Sequence, residues 1–464
     1  MRFSPSKSIP SLLLLVSLLL AACGGGGGST GGVSVTKPPA APTGVVASDV
    51  SGCYARISIN WSPVAGATSY KIYRSTSTGM ALTSPIATLV TASPYTDASP
   101  TLSSGSTYYY KVTAVNSGGE SAGSSEVSQL IGALVLCNSR GGSEQGSTLV
   151  LTTAVTTLAG TVGQPGTADG TGTNAKFWYP QGVTTDGTSL FVADTGKHTI
   201  RKIVIATGAV TTLAGTAGSA SNADGTGTGA SFNGPTGITT DGLNLYVADT
   251  GNNSIRKIEI ATGFVTTLVG GFNAPEGITY DGTDLYVADT GNHKISKIVI
   301  STITVTTFAG TGTQGSSDGT GTTAVKFNAP RGLTFTGTNL YLADTGNSLI
   351  RVISVPGASV ATIAGAAGTA AFVDDPIGTN ARFNFPQGIT TDGAYLYVAD
   401  TANHRIRKVA FTGAVTTIAG DGTGGNVDST TGASARFNLP SGITTDGTSL
   451  FDADTTNNTI RVIH

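Results

Sequence analysis

Charge is scarce in this 464-residue chain, where Asp, Glu, Lys and Arg together make up 11%, less than half the share of about 25% usual in soluble domains. A charged, disordered tail protein is excluded. The 25 basic residues are outnumbered by 27 acidic ones, so the basic footprint that phosphate binding needs is missing and a nucleic-acid partner is disfavoured. With three cysteines and four histidines the chain is neither a disulfide-dense scaffold nor rich in metal ligands. Beyond the first 22 residues no apolar run approaches the length of a membrane-spanning helix. What is abundant is glycine, 65 residues, with 39% hydrophobic content, the composition of turn-rich β structure with packed cores. At this length two or three domains are expected.

Residues 1–22 carry Arg2 and Lys7 and then the apolar run Leu12 to Leu20, too short to span a bilayer but right for a secretory signal peptide. Leu20-Ala21-Ala22-Cys23 resembles the bacterial lipobox, in which the cysteine is lipidated and becomes the new N-terminus. That resemblance implies a cell-envelope lipoprotein anchored through Cys23. Gly24 in place of Asp implies the outer membrane in a double-membrane cell. An ordinary cleavage site with an incidental cysteine is the other reading. Without the leader the chain holds 23 basic and 27 acidic residues, a net charge of −4. Residues 23–38 are Gly-rich and without apolar pattern, a flexible tether.

Residues 39–132 show short alternating runs. Ile57, Ile59 and Trp61 share one strand face, as do Tyr70 and Ile72, and Tyr108, Tyr110, Val112 and Ala114. The order Pro42, Trp61, Tyr70-Lys71-Ile72-Tyr73, Leu102, Gly105, Tyr108 and Val112-Thr113-Ala114-Val115-Asn116 resembles an immunoglobulin-like fibronectin type III sandwich. The resemblance implies a tyrosine corner at Tyr108 and a spacer or adhesion role. In such a seven-strand sandwich the A–B turn and the end of strand G lie at one pole. Cys53 and Cys137 fall there, so a disulfide between them is expected. Residues 133–150 read as a linker.

From residue 151 to 464 a unit recurs six times. Pro180, Pro235, Pro275, Pro330, Pro386 and Pro440 open the units, at spacings of 55, 40, 55, 56 and 54. Asp194, Asp249, Asp289, Asp344, Asp400 and Asp454 repeat the same spacings. Each unit has four strand-sized segments, too few to bury their own faces, so the units should stack radially as propeller blades. The stretch Leu245-Tyr246-Val247-Ala248-Asp249-Thr250-Gly251-Asn252-Asn253-Ser254-Ile255-Arg256-Lys257-Ile258 resembles the NHL repeat, and Asn292-His293 and Asn403-His404 carry its eponymous pair. The sixth copy lacks its Val-Thr-Thr strand, whereas an extra one at 154–160 precedes the first copy. An all-β chain with a six-bladed ring closed by that N-terminal strand is expected.

Within each Pro-x-Gly the middle residue varies as Gln181, Thr236, Glu276, Arg331, Gln387 and Ser441, on a frame that otherwise repeats. These six are the candidate ligand-binding positions, at the face where the inner strands begin. Pairing of Glu276 with Arg331 across adjacent blades is the plainer account. The Asp of Val-Ala-Asp-Thr-Gly-Asn is expected to accept N–H groups of its own turn. Asp169, Asp224 and Asp318 of the Asp-Gly-Thr-Gly loops are expected to form turns. The recurrent Arg201, Arg256, Arg351, Arg407 and Arg461 are expected to be buried between blades, with Ser296 breaking the series. His198, His293 and His404 fall at one turn position in separate blades, so no metal and no cofactor are expected. Asp452 stands where the other copies have Val or Leu and reads as a damaged repeat.

NHL-like propellers include binding scaffolds, sensor domains and a few lyases, and similar rings include lactonases. The inner strands here, such as Val183-Thr184-Thr185 and Ile389-Thr390-Thr391, offer hydroxyls but no general base or nucleophile pair. The expectation is a non-catalytic envelope lipoprotein whose propeller face binds an extracytoplasmic protein, peptide or glycan. A channel-mouth lyase or lactonase-like enzyme is the alternative.

Overall fold

The computed structural model describes residues 36–49, 55–97, 99, 102–132 and 149–464. Cys23, Cys53 and Cys137, with the leader, most of the tether and most of the linker, lie outside the described residues. The structure is all-β apart from single-turn 3₁₀ segments, and no helix among the described residues is long and apolar enough to cross a membrane.

The first unit is a two-sheet sandwich. Strands β1 (Val46–Asp49), β2 (Ile57–Asn60) and β5 (Tyr95–Asp97) form one sheet. The other orders β4 (Pro85–Val90), β3 (Ser69–Ser75), β6 (Thr107–Asn116) and β7 (Gly119–Glu120), and β8 (Val127–Leu130) pairs β6 on the edge that β7 also uses. The alternating residues named above point inward together: Ile57, Ile59, Trp61, Tyr70, Ile72, Tyr108, Tyr110, Val112 and Ala114 form one buried cluster. The Ser103 N–H donates to the Tyr108 phenol at 2.9 Å, the upstream backbone bond of a tyrosine corner. Buried Asp97 is held by Arg74 at 2.9 Å and by the Tyr110 hydroxyl at 2.8 Å.

The second unit is a ring of six antiparallel sheets in a propeller arrangement. In blade one the strands run Pro180–Thr185, Ser189–Asp194, Thr199–Val204 and Ala209–Ala214 from the axis outward, and the other blades repeat this order. The second strand of each blade, such as Ser189–Asp194, is buried on both faces because a neighbouring blade covers each side. One apolar cluster fills each of the six interfaces. At the seam, Phe451, Ala453, Ile460 and Val462 of blade six meet Leu190, Val192 and Ile203 of blade one.

Closure is read directly from pairing. β9 (Val155–Ala159) pairs antiparallel with Thr459–Ile463, with Ile463 opposite Val155, and supplies the outer strand of blade six. The Thr153 N–H donates to His464 O at 2.8 Å and the His464 N–H to Ala154 O at 2.9 Å. The inner strands touch all the way round. A Cβ on Gly182 would lie 2.0 Å from Thr236 O, and one on Gly442 would lie 2.0 Å from Gln181 O, across the seam. Glycine recurs here because each neighbouring carbonyl occupies the space a side chain would need.

Arg56 of the sandwich lies 3.4 Å from Asp186 and also donates to Gly242 O, both in turns between the first and second strands of their blades. The Leu149 N–H reaches Asp392 in the corresponding turn of blade five at 3.0 Å. The sandwich and the incoming chain therefore meet the ring on the face opposite the Pro-x-Gly residues.

Candidate functional site

Five of the six blades are each fastened by a buried arginine. Arg201, Arg256, Arg351, Arg407 and Arg461 are fully buried. In blade two, Arg256 Nη1 lies 2.9 Å from Asp249 and Nη2 lies 2.7 Å from Asp224, with further bonds to Ser231 O and Ala223 O. The Phe232 ring sits 5.2 Å from the guanidinium carbon. Blades one, four, five and six repeat the set with Asp169, Asp318, Asp374 and Asp428.

Two expectations are corrected by this geometry. The loop aspartates are not simply turn formers, since a fully buried guanidinium spans Asp224 and Asp249 and bonds both carboxylates. The repeat aspartates accept a backbone N–H from the preceding loop rather than from their own turn, which they reach only through an asparagine side chain. Asp249 Oδ1 accepts the Asn233 N–H, sixteen residues upstream, at 2.7 Å, and Oδ2 accepts Asn252 Nδ2 at 2.8 Å. Burial pushes the Asp194 carboxyl up to about 7, against the Trp178 N–H and Arg201, which pull it down.

Blade three lacks the whole device. Ser296 replaces the arginine, and the loop before the blade shrinks to Gly271–Ala274 with no clamping aspartate. In consequence Val305 is 38% exposed, whereas Val210, Val265, Val360 and Val415 are at most 3% exposed beneath their loops. Coordinate loss of arginine, loop and loop aspartate in one copy is the sequence signal that ties the three together.

The histidines also join blades. His198, at φ 60, accepts the Gly234 N–H on Nδ1 at 2.9 Å; His293 and His404 accept Ala329 and Leu439 N–H groups at 3.0 and 3.1 Å. Asn253 and Asn458 do the same with their side-chain oxygens, both at 2.8 Å. Burial lowers the affinity of His198 and His404 for a proton. The three rings thus serve three different loops. Among the described residues no group of three or more His, Cys, Asp or Glu gathers as a metal site would require.

The six variable Pro-x-Gly residues do converge. Gln181, Thr236, Glu276, Arg331, Gln387 and Ser441 surround one mouth of the central channel, with the glycines beside them. Thr236 and Ser441 are buried, and their hydroxyls bond Thr250 at 2.6 Å and Thr455 at 2.5 Å. Glu276 and Arg331 form an ion pair at 3.0 Å, with side chains 16% and 33% exposed. Burial raises the Glu276 carboxyl and Arg331 opposes it. Gln181 and Gln387 complete the polar rim. Beneath it lies a space of about 80 Å³ walled by Val183, Ile238, Ile278 and Ile389 and by Thr184, Thr239 and Thr279.

Asp452 is fully buried, and neither carboxyl oxygen has a hydrogen-bond partner. Burial raises its carboxyl well above the ordinary range, Asp454 adds to the rise and Arg461 opposes it. Arg461 lies opposite it across the strand pair without a hydrogen bond between them.

The NHL repeat family matches residues 232–258, which run from Phe232 to the third strand of blade two. NHL repeat-containing protein 2 of Homo sapiens is 30% identical over 323 residues, 64% of this chain and 40% of that protein. The Gallus gallus protein of that name is 30% identical over 61% of this chain and 46% of its own length. The chain thus spans less than half the length of these curated relatives. Among solved structures, a Bacteroides thetaiotaomicron protein of unknown function superposes with a TM-score of 0.54 at 20% identity, covering 91% of this chain and 99% of that one. Auxiliary nutrient binding proteins of Bacteroides thetaiotaomicron and Bacteroides ovatus superpose at 0.52 and 0.54 with 18% and 16% identity, covering 92% and 90% of this chain and 98% and 97% of theirs. At such identity these structures share the fold. Residues 232–258 match the NHL repeat, and the other five blades share the strand order of blade two.

Proposed function

We propose that this chain is a non-catalytic binding protein of the bacterial envelope. It is lipid-anchored through Cys23 and holds an extracytoplasmic ligand at the mouth of its propeller. The observation that carries the reading is the mouth itself. The polar side chain is Gln in blades one and five, Glu in blade three and Arg in blade four, while the strand frame around it repeats. A rigid frame with a variable polar rim supplies recognition, and the channel wall below it offers threonines and aliphatic groups rather than a base and nucleophile. The auxiliary nutrient binding proteins of the same fold support a binding role. The fibronectin type III-like sandwich serves as the spacer, and its seat on the opposite face directs the mouth away from the tether. The disulfide Cys53–Cys137 staples that spacer.

The test is in-cell crosslinking and capture with the full-length lipoprotein beside a Glu276→Ala, Arg331→Ala, Gln387→Ala variant. Capture by the native chain and loss by the variant, with unchanged melting, supports the mouth as the binding surface. Equal capture by both refutes it.

A further inference from the structure

The residue immediately before each blade-opening proline sorts the six blades into two halves of the ring. It is Tyr179 in blade one, Gly234, Ala274 and Ala329 in blades two to four, and Phe385 and Leu439 in blades five and six. Blades five, six and one are contiguous around the closed ring, so the three large apolar residues form one arc. They are 53%, 40% and 47% exposed in that order. All six positions have positive φ, between 46° and 59°. Glycine takes this conformation freely, and a small residue enters it at less steric cost than an aromatic one. Bulky side chains therefore occupy strained, solvent-exposed positions where the same repeat elsewhere uses Gly or Ala. About half of each of these side chains stays exposed, so packing alone does not account for their bulk, and strain kept at such a place points to a working surface.

Two residues beyond each arc member lies the mouth residue of its blade, Gln181, Gln387 or Ser441. Across the mouth stand Glu276 and Arg331, whose charges cancel in their ion pair. The surface thus joins two aromatic rings and a leucine to two primary amides and a neutralised acid–guanidinium pair. A strongly charged ligand would have to break that pair. A neutral saccharide would not, because its ring hydrogens pack on aromatic faces and its hydroxyls both donate to and accept from amide, carboxylate and guanidinium groups.

We infer that the arc and the mouth together form a binding site for a neutral oligosaccharide, with Tyr179 and Phe385 as stacking platforms and Gln181, Gln387, Glu276 and Arg331 as the hydrogen-bonding groups. The inference rests on the mouth being the binding surface and narrows its ligand to one chemical class.

The test uses the full mature protein in titrations against neutral hexasaccharides built from glucose in α-1,4, β-1,4 and β-1,3 linkage, from xylose, from mannose and from N-acetylglucosamine. At least one should bind, and Tyr179→Ala and Phe385→Ala should each weaken it tenfold or more with unchanged melting. Alanine is native at this position in blades three and four, so both variants keep the frame. No binding across the panel, or binding indifferent to both substitutions, overturns the inference. The capture experiment separates the two readings. A protein partner lost with the mouth variant, alongside silent saccharides, leaves the mouth as a binding surface and removes the saccharide.

Discussion

Replacing Asp452 with valine, the residue of four other blades at this position, should stabilise the ring, and by an amount that depends on pH. The carboxyl lies on the side of blade six that faces blade five, cross-strand from Ile443 and Arg461 and two residues from Leu450. Both oxygens lack partners. Removing a buried unsatisfied polar group returns about 1–3 kcal/mol, and this part is present at any pH. The second part comes from ionisation. Burial, and then Asp454, raise the native carboxyl well above its ordinary value, so folding takes up a proton. The stability carried by that proton is complete below the unfolded value near 4 and is lost as pH rises toward the native value. The advantage of Asp452→Val should therefore grow with pH from about 4 upward, by up to about 1.4 kcal/mol per unit. Asp452→Asn, which cannot ionise, should match the native chain at pH 4 and exceed it at pH 7. Urea unfolding of the three proteins from pH 4 to 7.5 measures both parts. A Val variant no more stable than the native chain, or a difference flat across that range, would refute the reasoning.

Arg256→Met should cost roughly 3–5 kcal/mol, because it leaves the buried Asp249 without its cation, and limited proteolysis should then cut the loop between blades one and two. His404→Ala should cost about 1 kcal/mol through loss of the Leu439 bond, whereas His404→Asn should be tolerated because Asn458 makes the same bond. Burial, with Arg405 adding, lowers the His404 proton affinity, so the stability it carries is present above about 6.5 and is lost as pH falls; thermal melts at pH 5 and 7.5 should show that loss in the native chain and not in His404→Asn. Deleting 151–160 should abolish cooperative melting and leave a chain that aggregates on size-exclusion chromatography, since the last blade would then expose Thr459–Ile463 as an edge.

The ring, its six copies and its closure are legible in sequence because period, turn chemistry and the displaced Val-Thr-Thr segment are local patterns. The mouth is legible for the same reason: Pro-x-Gly opens every inner strand, and a radial repeat brings the six x positions round one axis. The roles of the repeated polar residues are harder to read. Asp249 bonds a backbone sixteen residues back and Arg256 meets Asp224 across thirty-two, distances that no turn rule spans. The histidine bond reaches the next blade, so its partner is defined only once blades are stacked. Tyr179, Phe385 and Leu439 look like loop residues in sequence. They become an arc because blades five and six adjoin blade one only in the closed ring.

That closure also orders events in time. The strand that finishes the last blade is made first, and Thr152 must wait for His464, 312 residues away, before their bond can form. At about 5–20 residues per second a ribosome needs on the order of 15–60 s to supply the partner. Until then blades one to five can stack in order of emergence, but the ring stays open at one side, with the unpaired Val155–Ala159 strand at its leading edge. A chain lacking Thr459–Ile463 would carry that open side permanently. The closing pair is thereby the last contact of the ring to form, and a protease that attacks unpaired strands would distinguish closed rings from open ones.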